Sequence, residues 1–147
     1  MEELFKLQTP TIKVVKIDVD KQSIYEMEIE NTLQAKYDAI GNDCRLIEIG
    51  TYLTHNNPLT DYRDVMYVDE ESLIKWSTRE EVFNVGIFKF ARFPSVEHVP
   101  HSLIETFVGS AIIVGTDNEG NTTSHNVSLR EIHNRFFGFY QEKIWSS

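Results

Sequence analysis

The stretch that decides the fold runs from Thr106 to Trp145, TFVGSAIIVGTDNEGNTTSHNVSLREIHNRFFGFYQEKIW. Ser110 to Thr116 (SAIIVGT) is too apolar to be half exposed, which predicts a central strand with Ile112 and Val114 on one face and Ile113 on the other. Asp117-Asn118-Glu119-Gly120-Asn121 is turn chemistry: aspartate and asparagine bond back to the chain, and glycine takes a positive φ. Thr122 to Val127 then pairs back. Ser128-Leu129-Arg130-Glu131 matches a capping box, in which Ser128 and Glu131 satisfy each other's backbone donors. It opens a predicted helix over 128–143. Leu129, Ile132 and Phe136 line one side of that helix, with Phe139 and Tyr140 extending the stripe. Apolar residues at that period normally face a sheet rather than a ligand.

Working outward, Thr11 to Val19 (TIKVVKIDV) is rich in β-branched residues and reads as a strand. Ser23 to Glu30 (SIYEMEIE) alternates strictly, with Tyr25, Met27 and Ile29 on one face and Glu26, Glu28 and Glu30 on the other, which predicts a half-buried strand with an acidic wet face. Asp20-Lys21-Gln22 turns the chain between them, so the two form an antiparallel hairpin. A short helix over 31–40 comes next, capped by Asn31, with Leu33, Tyr37 and Ile40 on one face and Gly41 at its C-terminal end. Arg45 to Tyr52 and Val65 to Val68 are the next strands, separated by the polar loop Thr54 to Asp61. In the middle, Ser77 to Glu80 matches a second capping box and could start a helix reaching Val82 and Phe83. Gly86 to Phe93 alternates like a strand, and Pro94 and Pro100 bracket a loop.

Hairpin connections at both ends, with too few helices for repeated parallel crossovers, predict an α+β fold: a mainly antiparallel sheet of five to seven strands with two or three short helices packed on it. The 147 residues fit one domain, and no linker, repeat or low-complexity segment divides them. Hydrophobic residues make up 41%, which is enough for a core. The longest uncharged apolar run, Phe107 to Gly115, is too short to span a bilayer. The N-terminal residues carry acids where a secretory signal would carry bases, so a cytoplasmic protein without a membrane association is expected. The single cysteine, Cys44, allows no internal disulfide.

Acids outnumber bases, 23 to 14, for a net charge of −9. Residues 1–85 hold 17 acids against 9 bases, so nearly all of the excess lies there. That balance argues against nucleic-acid binding, which depends on lysine and arginine. It fits either a solvated surface or an acidic face for a basic protein partner.

Candidate chemistry is sparse. Asp18-x-Asp20 resembles an aspartyl-phosphate motif, but acids flanking a hairpin turn explain it better. Asp69-Glu70-Glu71 offers hard oxygens, yet three adjacent acids cannot all converge on one ion. Asp117-x-Glu119-x-Asn121 resembles half a calcium loop. His98 and His101 have metal-compatible spacing but no third or fourth ligand nearby, so no metal and no cofactor are expected. Cys44 beside Asp43 has no activating base, and a neighbouring carboxylate would raise its pKa. There is no phosphate-cradling glycine loop, no G-x-S-x-G elbow and no H-E-x-x-H. Asp69, Glu70, Glu71, His98 and His101 are therefore candidate interaction or pocket residues rather than catalytic ones.

YVDEESLIK (Tyr67 to Lys75) and FVGSAIIVGTDNEGNTTSHNVSLREI (Phe107 to Ile132) together resemble a small uncharacterised family found in bacteria, plasmids and phages and catalogued as a domain of unknown function. The shared pieces are an acidic V-D-E-E turn after a strand, a glycine before an apolar strand, a G-T-D-x-E-G turn and an S-L-x-E helix start. YDAIGNDCRLIEI (Tyr37 to Ile49) resembles the family's helix-glycine-strand segment. Ser72 departs from it, standing where a glycine is commoner, and residues 76–105 have no counterpart. The resemblance implies a fold and carriage on a mobile element, and it implies no activity.

Two function classes are consistent with these residues. One is a non-catalytic cytosolic interaction or accessory protein with an acidic surface for a protein partner or for self-association. The other is a small-molecule-binding protein or small hydrolase with an aromatic-walled pocket. The lack of any chemical motif favours the first.

Overall fold

The structure is a computed structural model that describes residues 10–41, 43–54, 63–72, 83–91, 104–117 and 119–144. It is a single α+β domain of mostly antiparallel strands, arranged in two sheets rather than one, with two short helices that lie wholly within the described residues. Among the described residues there are nine strands, more than the five to seven expected from sequence.

The larger sheet, sheet A, begins with the predicted hairpin. β1 (Thr11–Asp18) and β2 (Ser23–Glu30) pair along their whole length, from Thr11 opposite Glu30 to Asp18 opposite Ser23. The turn between them is fastened by the Asp18 carboxylate, which accepts from the amides of Asp20 (3.0 Å) and Lys21 (3.1 Å) and from the Tyr25 hydroxyl (2.8 Å). Asp18 therefore does the turn work anticipated for it. The alternation of β2 is present in the fold: Ile29 is buried, and Glu26, Glu28 and Glu30 are exposed.

α1 (Leu33–Ile40) comes next, but its cap differs from the expected one. Thr32 is the N-cap, its hydroxyl accepting from the Ala35 amide at 3.1 Å, while the Asn31 amide group donates to the Thr122 carbonyl at 3.0 Å. Ala39 and Ile40 are buried, whereas Leu33, expected inward, is 53% exposed. Gly41 ends the helix at φ +83°.

β3 (Ile47–Thr54) and β4 (Arg63–Asp69) form a second antiparallel pair, with a bulge between Ile49 and Thr51. β7 (Ala111–Thr116) lies between the two hairpins, antiparallel to β1 on one edge and to β4 on the other. The order is β2-β1-β7-β4-β3, and the short β8 (Thr122–Thr123) returns from the turn to pair with Gly115 and Thr116. β7 is thus the central strand that its composition predicts. Ile112 and Val114 lie in one buried cluster and Ile113 in the other, each fully buried.

Sheet B has the order β6-β5-β9, built from β5 (Phe83–Ala91), β6 (Ile104–Val108) and β9 (Phe136–Ile144). Here the structure corrects two sequence expectations. Phe83 belongs to β5, not to a helix. The predicted helix over 128–143 ends early: α2 covers Leu129–Arg135, and Phe136–Ile144 is a strand paired with β5. Gly138, at φ +121°, sits in a conformation foreign to a helix. The Ser128 cap is the expected one, its hydroxyl accepting from the Glu131 amide at 3.1 Å.

The burial pattern sets the layers. Sheet B lays Phe88 and Phe90 against Val15, Ile17, Met66, Val68 and Ile113 of sheet A, with Ile132 of α2 and partly buried Phe107, Phe136 and Phe139 around them. On the opposite face of sheet A, Ala39 and Ile40 of α1 meet Val14, Ile29, Ile112 and Val114. The order is α1, sheet A, sheet B. The two sheets join at Gly109, a corner residue at φ +84° between β6 and β7.

Candidate functional site

α1 touches β2 and β7 and so spans the β2-β1-β7 half of its sheet face. Among the described residues no element covers β3 on the same face, while Val65 of β4 is buried there. Register places Ile49 opposite Tyr67 and Tyr52 opposite Val65, and Tyr67 and Val65 belong to the α1-side cluster, so Ile49 and Tyr52 point to that side too. Ile49 is 45% exposed and Tyr52 is 51% exposed. Tyr67 is half-buried between them and the core. Burial pushes its phenol up from the ordinary value, with the neighbouring Tyr52 adding to the shift. These side chains form an apolar and aromatic strip on β3 and β4, and β3 is the last strand in its sheet.

The acidic turn Asp69-Glu70-Glu71 abuts one end of this strip. Asp69 pairs with Ile47 in register, and the Glu70 amide donates to the Leu46 carbonyl at 2.9 Å. Asp69 is buried and structural, its carboxylate accepting from the Glu71 amide at 2.9 Å. The Ser72 hydroxyl lies within hydrogen-bonding distance of the carbonyl oxygens of Asp69 (2.9 Å) and Val108 (3.0 Å), fixing the turn against the end of β6. Glu70 is exposed and Glu71 is half-buried. Of the three candidate acids, only the two glutamates keep exposed surface.

At the C-terminal end of α1, a cleft of about 520 Å³ is lined by Gln34, Tyr37, Asp38, Asp43, Cys44 and Arg45. Tyr37, Ile47 and Tyr67 all pack against the same core cluster, so cleft and strip share a side of the molecule. Gln34 donates to Asp38 at 2.9 Å, one helical turn on. Cys44 is buried, and its thiol donates to the Leu46 carbonyl at 3.6 Å. A second hollow, about 380 Å³, lies on the outer face of sheet B between Lys89, Ile104, Thr106, Phe137 and Tyr140. Lys89 rests over the Tyr140 ring there at 5.0 Å.

The remaining sequence candidates have structural roles or fall outside the described residues. His98 and His101 lie outside them, as does the Ser77 to Glu80 capping box. His125 sets both ring nitrogens against acceptors, Nδ1 at 2.8 Å from the Val127 carbonyl and Nε2 at 2.6 Å from Glu26, and so ties β2 to the segment after β8. Asp117 is saturated by donors: the amides of Glu119 (2.9 Å) and Asn121 (2.8 Å) and the Asn121 side chain (3.1 Å). Those bonds hold its carboxyl below the usual range and occupy the oxygens that a cation would need. Among the described residues no group of three or more His, Cys, Asp or Glu side chains could hold a metal ion. Nor is any described helix long and apolar enough to cross a membrane.

No local motif singles out Ile49 and Tyr52 in the sequence. Their strand is legible, and the apolar residues Ile47, Ile49, Tyr52 and Leu53 set among Glu48, Gly50 and Thr51 are the available signal. Their exposure depends on how far α1 reaches across the sheet, which local spacing does not encode. The chain matches no family model, no curated protein and no solved structure.

Proposed function

We propose that this chain is a non-catalytic accessory domain that binds a protein partner through the β3 side of sheet A, at the strip Ile49–Tyr52–Tyr67 and its acidic border. The observation that carries this reading is the pair of large apolar side chains, Ile49 and Tyr52, each about half exposed on a sheet face whose other half is covered by α1. Contiguous exposed apolar surface with a polar rim is the usual mark of an interaction site. The acid excess of the chain's first 85 residues supports a basic partner over a nucleic acid. Cytosolic location and carriage on a mobile element belong to the same proposal, and the reduced thiol of Cys44 suits a reducing compartment.

The test is site-specific photo-crosslinking in cells. A benzophenone-bearing amino acid in place of Tyr52 should capture one discrete protein, and the same probe in place of Leu129, exposed on α2, should not. The captured protein, once purified, should bind the parent chain and fail to bind Tyr52→Glu. Equal capture at both positions, or none at position 52, would remove the reading.

A second reading, small-molecule binding, rests on the cleft at the end of α1, where a tyrosine, two aspartates and an arginine face one space. Native mass spectrometry of freshly purified protein would show a stoichiometric bound mass under that reading, displaced by Tyr37→Ala.

A further inference from the structure

The edges of sheet A are unlike one another, and that difference identifies the form of the partner. β2, at one edge, runs beside α1: on that side Met27 is half-buried and Ile29 buried, so an incoming strand meets little exposed apolar surface there. β3, at the other, lies beyond that cover and leaves Ile49 and Tyr52 exposed on its α1 side, on either flank of the bulge between Ile49 and Thr51. Among the described residues no strand pairs with the outer edge of β3. An open edge offers a row of backbone donors and acceptors to an incoming strand.

We propose that a basic, extended segment of a protein partner adds to the β3 edge as a further strand. This deepens the interaction reading above and rests on it. Side chains of a strand alternate between faces, so the incoming segment meets two chemistries in turn. On the α1 side it lies beside Ile49 and Tyr52 and needs apolar residues. On the other side it lies beside Glu48, which pairs with Val68 and is exposed, with Glu70 one strand further in at the end of β4; there it needs lysine or arginine. A second copy of this chain is the poorer occupant, because each copy carries a net charge of −9 and would set Glu48 and Glu70 against their own kind. Main-chain pairing supplies affinity, and the alternation of apolar with basic residues supplies selection.

The probe is a fluorescein-labelled peptide as long as β3 that alternates valine with lysine. It should bind the parent chain, and the backbone amides it shifts in NMR spectra should be those of residues 47–54. Tyr52→Glu should weaken it at least about tenfold even though the substitution adds a negative charge, since loss of an interface aromatic costs more than a rim charge returns. Tyr52→Ser, which adds no charge, should also weaken it, and both variants must keep the parent's thermal midpoint. A peptide N-methylated at alternate residues, which cannot donate along one edge, should lose a similar factor. Adhesion by charge alone predicts the opposite for Tyr52→Glu, namely tighter binding. That result would overturn the proposal, as would shifts centred on residues 24–30 or indifference to N-methylation. Sedimentation showing a dimer that Tyr52→Glu dissolves would assign the edge to a second copy instead. If the peptide fails while the probe at position 52 still captures a protein, strand addition falls and the interaction reading stands. If capture at position 52 fails as well, both fall.

Discussion

Gly115 is where one missing methyl group decides how the chain folds back. A Cβ there would stand 2.2 Å from the Ser124 carbonyl oxygen and 2.5 Å from the Thr123 hydroxyl, so the segment after β8 can lie flat on β7 only because this residue is glycine. Asp64, opposite Gly115 in register and fully buried, then holds the segment through the amides of Asn126 (2.7 Å) and Val127 (2.6 Å) and the Asn126 side chain (3.0 Å). Gly115→Ala should cost about 2–3 kcal/mol through forced displacement of backbone. Gly120→Ala meets open space and carries only its φ penalty, about 1–2 kcal/mol. Asp64→Ala leaves the buried Val127 amide and the part-buried Asn126 amide without an acceptor and should cost about 2–4 kcal/mol. Urea midpoints of the three variants would check that order. Asp18 and Tyr25 predict a pH dependence. Burial pushes the Asp18 carboxyl up, but bonds from the Lys21 amide, the Tyr25 hydroxyl and the Asp20 amide, with Lys16 at 3.8 Å, outweigh it and hold it below its ordinary value. Burial and the Asp18 carboxylate push the Tyr25 phenol up to about 12. The ionised aspartate and the neutral phenol are the forms the fold favours. Stability from Asp18 is therefore present above the ordinary carboxylate range and lost as pH falls through the lowered value. Stability from Tyr25 is present below 10.0 and lost as pH rises toward about 12. Tyr25→Phe should cost about 1–2 kcal/mol at neutral pH and flatten the alkaline limb of a stability–pH curve. A variant that keeps the parent's slope in that window would contradict this.

At the scale of elements, the fold divides into segments that are legible locally and segments that are not. β1, β2, β7 and the turn at Asp117 to Gly120 are readable because period-two alternation, a doubly apolar run and turn residues are each local signals. The helix start at Ser128 is readable for the same reason. The segment after α2 is not readable in this way, because Phe136, Phe139 and Tyr140 fit a helical stripe as well as they fit a strand. The pairing that settles the matter joins Phe88 to Phe139 and Phe83 to Ile144, contacts between residues far apart in sequence. Gly138 is the one local hint. Its positive φ suits a strand bend, and Tyr140 folds over it to donate to the Phe137 carbonyl at 3.0 Å. The aromatic stripe still serves a core: Phe136 lies 4.7 Å from Phe139 and 6.5 Å from Phe88, measured between ring centres. Phe88, fully buried, should cost about 3–5 kcal/mol on truncation to alanine. Phe136, at the α2–β9 junction and only partly buried, should cost less, about 2–3 kcal/mol. Glu119→Ala, at the turn tip, should cost about 0.5 kcal/mol or less. Thermal midpoints of the three would test whether the aromatic layer, rather than the hairpin tip, bears the stability.

For the whole molecule, the composition of layers is legible in the sequence and their arrangement is not. Short connections and alternation imply antiparallel strands with a few helices. The division of those strands between two sheets depends on Gly109 turning the chain between β6 and β7, and on β5 finding β9 near the far end of the sequence. The candidate site is legible only in part. The acidic turn at Glu70 and Glu71 stands out as charge, while the strip beside it depends on how far α1 reaches across the sheet, which no local pattern encodes. β1 pairs with β7 across about two-thirds of the chain, Val15 with Ile113 and Ile17 with Ala111, so folding must close a long loop before sheet A has a centre. Refolding from denaturant should therefore take milliseconds to seconds rather than microseconds, as stopped-flow fluorescence would show. The unequal edges of sheet A also limit what this protein can become at high concentration. Propagation of a sheet from molecule to molecule requires two adhesive borders on each unit, and here β2 runs beside α1 with Met27 and Ile29 turned into the core and three glutamates of one sign on its other face, where a second copy's acids would be repelled. Through this sheet the molecule has a valence of one. Any edge-to-edge association would close as a pair and stop, which makes a sheet that can receive a guest strand a poor seed for a fibre.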